Sequence, residues 1–247
     1  MANLTILRTY ALKNPETLPS SILFSHTAKS LTIYDAYPKS MFHFLILPRV
    51  QEPLTTTELG SLRSLLKINK ERAKEVITGL HEDAKAAKKE IEEEMLRRYG
   101  FKWDVWTGFH GAPSMEHLHV HVLSADLCSE KMKNKKHYNS FHPSLGFFLH
   151  IDEVLSWFDA EPSFYAAKAQ LKPSTYEPIL KEDLSCFHCN SVMKNMPTLK
   201  AHLHEEWNKI EKKSKAAHHK KRKLESDTID ASDVQIGQKK SKPDSSE

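Results

Sequence analysis

Three histidines, His117, His119 and His121, stand two residues apart in Met115-Glu-His-Leu-His-Val-His-Val-Leu123. On a strand, a period of two puts all three imidazoles on one face and Leu118, Val120 and Val122 on the other. Imidazoles in a row are costly to bury unless they act together, so the pattern points to chemistry, with a polar sheet face or a metal-binding cluster as the bland alternatives. A neutral imidazole nitrogen can attack a phosphorus atom and form a covalent nucleotidyl-histidine. A second cluster reads Cys186-Phe-His-Cys189, then twelve residues, then His202. That is C-x2-C-x12-H, the first three ligands of a zinc finger.

The usual fourth ligand lies a few residues further along the same helix. His204 and Glu206 are the choices, with His188 a weaker one. Residues four apart share a helix face, whereas residues two apart point about 200° away from each other. The expected structural zinc set is therefore Cys186, Cys189, His202 and Glu206, with a tiny core of Leu199, Leu203 and Phe187. Lys194, Lys200 and Lys209 leave the finger a basic exterior suited to phosphates.

The elements that must position these residues follow from apolar periodicity. Ile22–Ser25, Leu31–Tyr34 and Phe42–Leu47 read as strands bounded by Pro19, Pro38 and Pro48. From Thr55 the period becomes helical, through Leu59, Leu62, Leu65, Leu66, Ile68, Val76, Ile77 and Leu80, with Thr56 or Thr57 as cap. The charged run His81–Arg98 either continues that helix or forms a second one. Strand character returns at Asp104–Gly111, Leu118–Leu123 and Phe147–Ile151. Strands, then helix, then strands predict an α+β fold with an antiparallel sheet. The expected organisation is a catalytic domain over residues 1–165, a connector over 166–183, a finger over 184–210 and a basic, disordered tail over 211–247.

Within this frame, His-hydrophobic-His-hydrophobic-His followed by two hydrophobics resembles the signature of the histidine-triad nucleotide hydrolases and transferases. Ile33-Tyr-Asp35-Ala-Tyr-Pro-Lys-Ser-Met-Phe-His43-Phe-Leu-Ile-Leu-Pro48 is similar to that family's strand–turn–strand. Gly108-Phe-His-Gly-Ala-Pro-Ser-Met115, Lys133-Asn-Lys-Lys-His-Tyr-Asn-Ser-Phe141 and the finger narrow the resemblance to its aprataxin branch, over about residues 1–207. The resemblance implies a histidine-triad fold with His119 as nucleophile. His117, His121, Ser114 and Lys136 would supply donors or charge to the phosphoryl oxygens and leaving phosphate. A backbone carbonyl of a triad neighbour would orient the nucleophile's other nitrogen, and water would then release AMP without need of a metal. Asp35 would hold the ribose hydroxyls, with His43, Lys39, Ser40 and Met115 around the nucleotide. His110, Leu7, Arg8 and Lys200 would contact DNA. Leu4, Leu7, Tyr10 and Ala11 have helical spacing, and by resemblance such a helix would wedge against a terminal base pair; core packing explains the same spacing. Glu116 beside the triad has no evident role. No forkhead-associated segment is present, so recruitment through one is not expected.

The remaining composition is ordinary. The 247 residues carry a formal net charge of +4, with 28% charged and 39% hydrophobic residues, enough for one substantial core and a small appendage. Three cysteines cannot form a fully paired disulfide framework, which favours a reducing compartment. No secretory signal or membrane span is read. Lys212–Lys223 reads equally as a nuclear localisation signal or as a solvated tail. The expected activity is removal of AMP from 5′-adenylated DNA ends by a nuclear monomer. Hydrolysis of small adenosine nucleotides is the enzymatic alternative, and a nucleotide-sensing zinc-finger protein the non-enzymatic one.

Overall fold

A computed structural model describes residues 3–237, with side chains from 3 to 217. The chain divides into two compact units, Met1–Glu206 and Trp207–Glu247.

The first unit is built on six strands: β1 (Leu23–His26), β2 (Ser30–Tyr34), β3 (His43–Pro48), β4 (Val105–His110), β5 (Val120–Ser124) and β6 (Phe148–His150). They form one sheet in the order β1-β2-β3-β5-β4-β6, and every neighbouring pair is antiparallel. The predicted α+β architecture is thus the observed one. Helices are α1 (Ile6–Leu12), α2 (Leu62–Leu65), α3 (Lys70–Tyr99), α4 (Lys135–Asn139), α5 (Ile151–Asp159), α6 (Pro162–Lys168), α7 (Pro173–Tyr176) and α8 (Met196–Gly237).

The helix expected from Thr55 is broken into pieces. A short 3-10 turn spans Glu58–Gly60, Ser61 caps α2 through Ser64 N, and Asn69 caps α3 through Arg72 N, so neither Thr56 nor Thr57 acts as a side-chain cap. The charged run beyond Leu80 does continue α3. Its inward stripe (Ala73, Ile77, Leu80, Ala84, Ala87, Ile91, Met95) recurs every three or four residues for the full length, which packs one face and solvates the rest.

Register explains how the sheet uses its two faces. Cα partners Leu45–His121 and His43–Leu123 lie on one face; Phe44–Val122 and Ile46–Val120 lie on the other. Helix α3 lies against β2, β3, β4 and β5. On the histidine face, one cluster (Leu7, Leu18, Leu31, Ile33, Leu45, Leu47) lies toward β2 and β3. Another (Leu123, Leu127, Met132, Tyr138, Phe141, Phe148 with Leu184, Cys186, Leu199 and Leu203) lies toward β5 and β6. The histidines occupy the gap between them. Leu7 is therefore a core residue, 3% exposed. Its burial contributes about 2 kcal/mol to holding α1 down.

The finger likewise lacks the separate core expected of it. Leu184, Cys186, Leu199 and Leu203 share one core with the sheet. A segment of some twenty-five residues cannot bury enough apolar surface alone, so it borrows the sheet's. The Tyr138 hydroxyl donates to Ser185 O at 2.8 Å and accepts from Phe187 N at 3.1 Å, and Asn139 Nδ2 donates to Glu182 O at 2.8 Å. The connector begins inside α6 and carries α7 and a 3-10 turn at Glu177–Lys181.

The second unit is helical through Gly237, where the tail was expected to be disordered from residue 211. No glycine or proline interrupts 211–236, and its lysines, alanines and glutamates are good helix formers. Glu211 and Lys215 pair at 2.7 Å, one turn apart. Residues 238–247 lie outside the described residues, as do the side chains from 218, so the localisation reading of Lys212–Lys223 falls partly there. Among the described residues no helix is long and apolar enough to cross a membrane.

Candidate active site and metal centre

The histidine face is assembled from three non-adjacent stretches. β3 supplies His43, β4 supplies His110, and the segment entering β5 supplies His117, His119 and His121. The strand period holds for His119 and His121, whose rings lie 5.0 Å apart. It fails at His117, because β5 begins only at Val120 and His117 has φ +89°. A non-glycine residue in that region is strained and must be held by its surroundings. Here His117 N donates to Gly60 O at 2.9 Å and Leu118 N to Leu59 O at 2.7 Å. The imidazole of His117 turns away to donate from Nε2 to Pro48 O at 2.7 Å. Its Nε2 proton is thereby engaged by the backbone, and Nδ1 is left without a partner among the described residues.

The strained turn instead aims the His117 carbonyl at its neighbour. His119 Nδ1 donates to His117 O at 2.8 Å. This fixes the tautomer and leaves Nε2 of His119 with a bare lone pair. A cleft opens beside it, lined by Ser61, Leu62, Phe109, His110, Pro113 and His117 among others.

A second set of bonds fixes His121. Lys39 N donates to His43 Nδ1 at 3.1 Å, so the ring proton of neutral His43 sits on Nε2. That Nε2–H donates to His121 Nδ1 at 3.0 Å. Neutral His121 must then carry its own proton on Nε2, which is buried and without a partner among the described residues. It is a donor waiting for an acceptor. Asp35 Oδ2 lies 3.5 Å from His43 Nε2, and Asp35 Oδ1 accepts from Tyr37 N at 2.7 Å. Asp35, His43 and His121 are close enough to hold a cation. The proton forced onto His43 Nε2 occupies the lone pair that a metal would need, so the trio reads as a proton-fixed relay.

Burial keeps the cluster neutral. Desolvation depresses His43 and His117 to about 4, and lowers His119, His110 and His121 from their usual 6.5, the last two strongly. A depressed histidine is left unprotonated in the folded chain while the unfolded chain takes up protons below pH 6.5. Stability must then fall as pH drops from 6.5 toward 4. Each unit of depression is about 1.4 kcal/mol, so the expected loss by pH 5 is on the order of a few kcal/mol. Thermal melts at pH 7, 6 and 5 check this, and a flat Tm across them contradicts it.

Other expected site residues are placed as follows. Ser40 is buried, and its Oγ has no partner among the described residues. Ser114 is exposed in the loop before the triad, and Lys136 is exposed on α4. Met115 packs, half-buried, against the Leu7 cluster. Arg8 pairs with Glu116 at 2.8 Å, and Glu116 N donates to Leu4 O at 2.9 Å, which gives Glu116 the role of tying α1 to the triad loop. His110, expected to be a DNA contact, lies within the histidine cluster, its ring 4.3 Å from that of His121. Lys200 is half-buried on α8.

Sequence reasoning missed the wall residues. Phe141 stands edge-on to His43, His110 and His121 at 5.5, 4.6 and 5.1 Å. Gly108, the Cα partner of His121, admits no side chain: a Cβ there would come 2.4 Å from Leu149 O. The Gly-x-His spacing at 108–110 was the one available signal for it.

In the finger, one ligand atom each from Cys186, Cys189 and His202 lies within 4.8 Å of the others. Cys189 Sγ is 3.3 Å from His202 Nε2. Glu206 Oε1 is 3.6 Å from the same nitrogen, while His204 is exposed. Two sulfurs, a nitrogen and a neighbouring carboxylate match a tetrahedral structural zinc.

Family descriptions match both parts of the chain. The family description "C2HE / C2H2 / C2HC zinc-binding finger" matches residues 144–209, and "Scavenger mRNA decapping enzyme C-term binding" matches residues 10–137. An aprataxin-like protein of Drosophila melanogaster is 32% identical over 193 residues, covering 78% of this chain and 25% of that protein. One of Saccharomyces cerevisiae is 30% identical over 223 residues, covering 81% of this chain and 95% of that protein. A solved structure of Hnt3 in complex with DNA and guanosine superposes with TM-score 0.63 at 25% identity, covering 86% of this chain and 100% of that one. The chain spans a quarter to about half of the length of the animal relatives it matches. With a histidine-triad domain and a zinc finger on one sheet, and with a near full-length match to the yeast protein, the chain belongs to the aprataxin family.

Proposed function

We propose that this protein is a DNA-repair hydrolase that removes AMP from 5′-adenylated DNA ends through a covalent AMP–His119 intermediate. The observation that carries the reading is the His119 Nδ1 bond to His117 O. It presents a neutral, unprotonated Nε2 to a cleft. Attack on the α-phosphorus forms the P–N bond and breaks the anhydride bond to the DNA 5′-phosphate. His121 Nε2–H, a buried donor without a partner among the described residues and on a ring 5.0 Å from that of His119, serves the phosphoryl oxygens. Water then releases AMP.

DNA as the carrier of the adenylate is supported by the finger, by its lysines and by the DNA held in the Hnt3 structure. A finger with four protein ligands (Glu206 as the fourth) has no open position, so its zinc supplies folding energy and a scaffold. The same reading makes the protein a monomer of the nucleus. It is tested by incubating the protein with 5′-adenylated nicked DNA and with a free adenosine phosphoramidate. A much higher kcat/KM on the DNA is expected; a preference for the free nucleotide overturns the DNA assignment in favour of a small-nucleotide hydrolase.

Asp35 suits the vicinal diol of the adenosine ribose, as two carboxylate oxygens accept from two hydroxyls. Asp35→Ala is expected to raise KM for adenylated ends roughly tenfold or more, since a charge-assisted hydrogen bond contributes about 1.5–3 kcal/mol. Binding to plain nicked DNA should barely change. Equal loss on both ligands, measured by fluorescence anisotropy, removes Asp35 from the nucleotide site.

A further inference from the structure

One aromatic ring of the connector reaches the rim of the cleft. Tyr176 closes α7, and its ring lies against the backbone of Gly111, the residue after His110. A Cβ on Gly111 would meet Tyr176 Cδ1, Cε1 and Cγ at 2.3, 2.4 and 2.7 Å. Non-bonded carbons rest about 3.5–4.0 Å apart, so only glycine fits beneath this ring. The same ring stands edge-on to Phe147 at 6.2 Å, and Phe147 stands edge-on to His110 at 5.2 Å. His110 and Pro113, on either side of Gly111, line the cleft beside His119. Among the described residues no backbone hydrogen bond involves residues 112–115. The rim is tied at its ends alone, where Gly111 N donates to Phe147 O and Glu116 N to Leu4 O, both at 2.9 Å.

We propose that Tyr176 is a positioning residue of the reaction: its ring props the rim from His110 to Pro113, so that the connector sets how this wall of the cleft stands to His119. The proposal rests on the reading of the cleft as the nucleotide site. A prop must itself be held, and the connector is held from its other side. Helix α4 lies against the 3-10 turn that follows Tyr176, and Asn139 Nδ2 of that helix donates to Glu182 O at 2.8 Å. The Tyr138 hydroxyl fixes the next stretch through Ser185 O. Without the ring, the rim loses its support at Gly111 and keeps only its end ties. An added methyl on Gly111 is the opposite disturbance. Turning the ring does not clear it, because Cγ, the ring atom nearest the tyrosine's own backbone, is among the atoms met. Ring or rim must give by about 1 Å to restore ordinary contact, and a misplacement of that size costs on the order of 100-fold in rate.

The test uses an adenosine phosphoramidate, so that any contact between the connector and DNA drops out. Tyr176→Ala is expected to lower kcat roughly tenfold with KM little changed. Tyr176→Phe should match the wild type, because the contact is made by ring carbons and not by the hydroxyl. Gly111→Ala should lower kcat about 100-fold. In the double variant the methyl takes the room the ring has left, and kcat should return to that of Tyr176→Ala alone; independent sites would multiply their losses. The Hε1 resonance of His110, followed by proton NMR, should move in Gly111→Ala and return in the double variant to its place in Tyr176→Ala. Full kcat in Tyr176→Ala, multiplied losses in the double variant, or a His110 resonance unmoved by Gly111→Ala overturns the role of Tyr176. Should Gly111→Ala fail to fold, Tyr176→Ala against Tyr176→Phe decides on kcat alone. A wild-type protein that hydrolyses neither the phosphoramidate nor adenylated DNA overturns the nucleotide reading, and the His110 resonance, which needs no turnover, then decides whether Tyr176 props the rim.

Discussion

His119→Ala should abolish the release of AMP from adenylated nicked DNA, by roughly 10⁴-fold or more, as losing the nucleophile of a two-step mechanism does. No labelled AMP–protein adduct should form. The loss is expected in kcat with little change in DNA affinity, because the imidazole acts on phosphorus and not on the DNA. His119 is buried, not set on an exposed face, so its removal leaves a small cavity. It also relieves the desolvation of a polar ring. These terms oppose each other, and stability should change by no more than about 2 kcal/mol. A folded His119→Ala protein that still released AMP at near-normal rate would remove the covalent mechanism altogether. The same experiment on His117→Ala is informative because the His117 carbonyl, not its ring, orients His119. That variant keeps the carbonyl but loses the Pro48 tie, and should retain more activity than His119→Ala.

The second large effect is expected from the finger. Cys186 is fully buried in the core that the finger shares with the sheet. Cys186→Ser should lose zinc, and with it a contribution of about 10 kcal/mol of the kind structural zinc supplies in finger peptides. Phe141 belongs to that core and also walls the histidines. Loss of zinc should therefore slow hydrolysis of a small adenylate as well as of adenylated DNA, by at least about tenfold, and lower Tm. Were the finger an independent appendage, only the DNA reaction would suffer. Zinc per mole, Tm and the rate on an adenosine phosphoramidate decide between these: zinc lost with the small-substrate rate intact would show that the shared core does not support the site. Glu206→Ala and His204→Ala, compared for zinc content, identify the fourth ligand. Loss is expected in Glu206→Ala, whose carboxylate already lies 3.6 Å from His202 Nε2.

Much of this molecule is legible in the residue order. Strand positions, the antiparallel α+β arrangement, the helical stripe of α3 and the Cys–Cys–His spacing all come from short-range periodicity. That periodicity is dictated by how side chains project from a strand or a helix turn. The choice of Glu206 over His204 follows from the same rule, four residues against two. The His119–His121 alignment does as well.

What the residue order did not disclose are relations across the sheet. The left-handed turn at His117 exists only because Gly60 and Leu59 offer carbonyls from a distant 3-10 turn. The proton on His121 Nε2 is set by Lys39 through His43, which lies 78 residues away in the chain. His110 enters the cluster because β4 pairs with β5 in a register that places Gly108 opposite His121. Leu7 and the finger leucines became core, not surface or separate core, because one sheet face had to be covered at both ends. Amino-acid type sets which atoms are able to donate or accept. Which of them hold the proton is settled by hydrogen bonds between residues far apart in sequence, and those form only once the sheet's register is fixed.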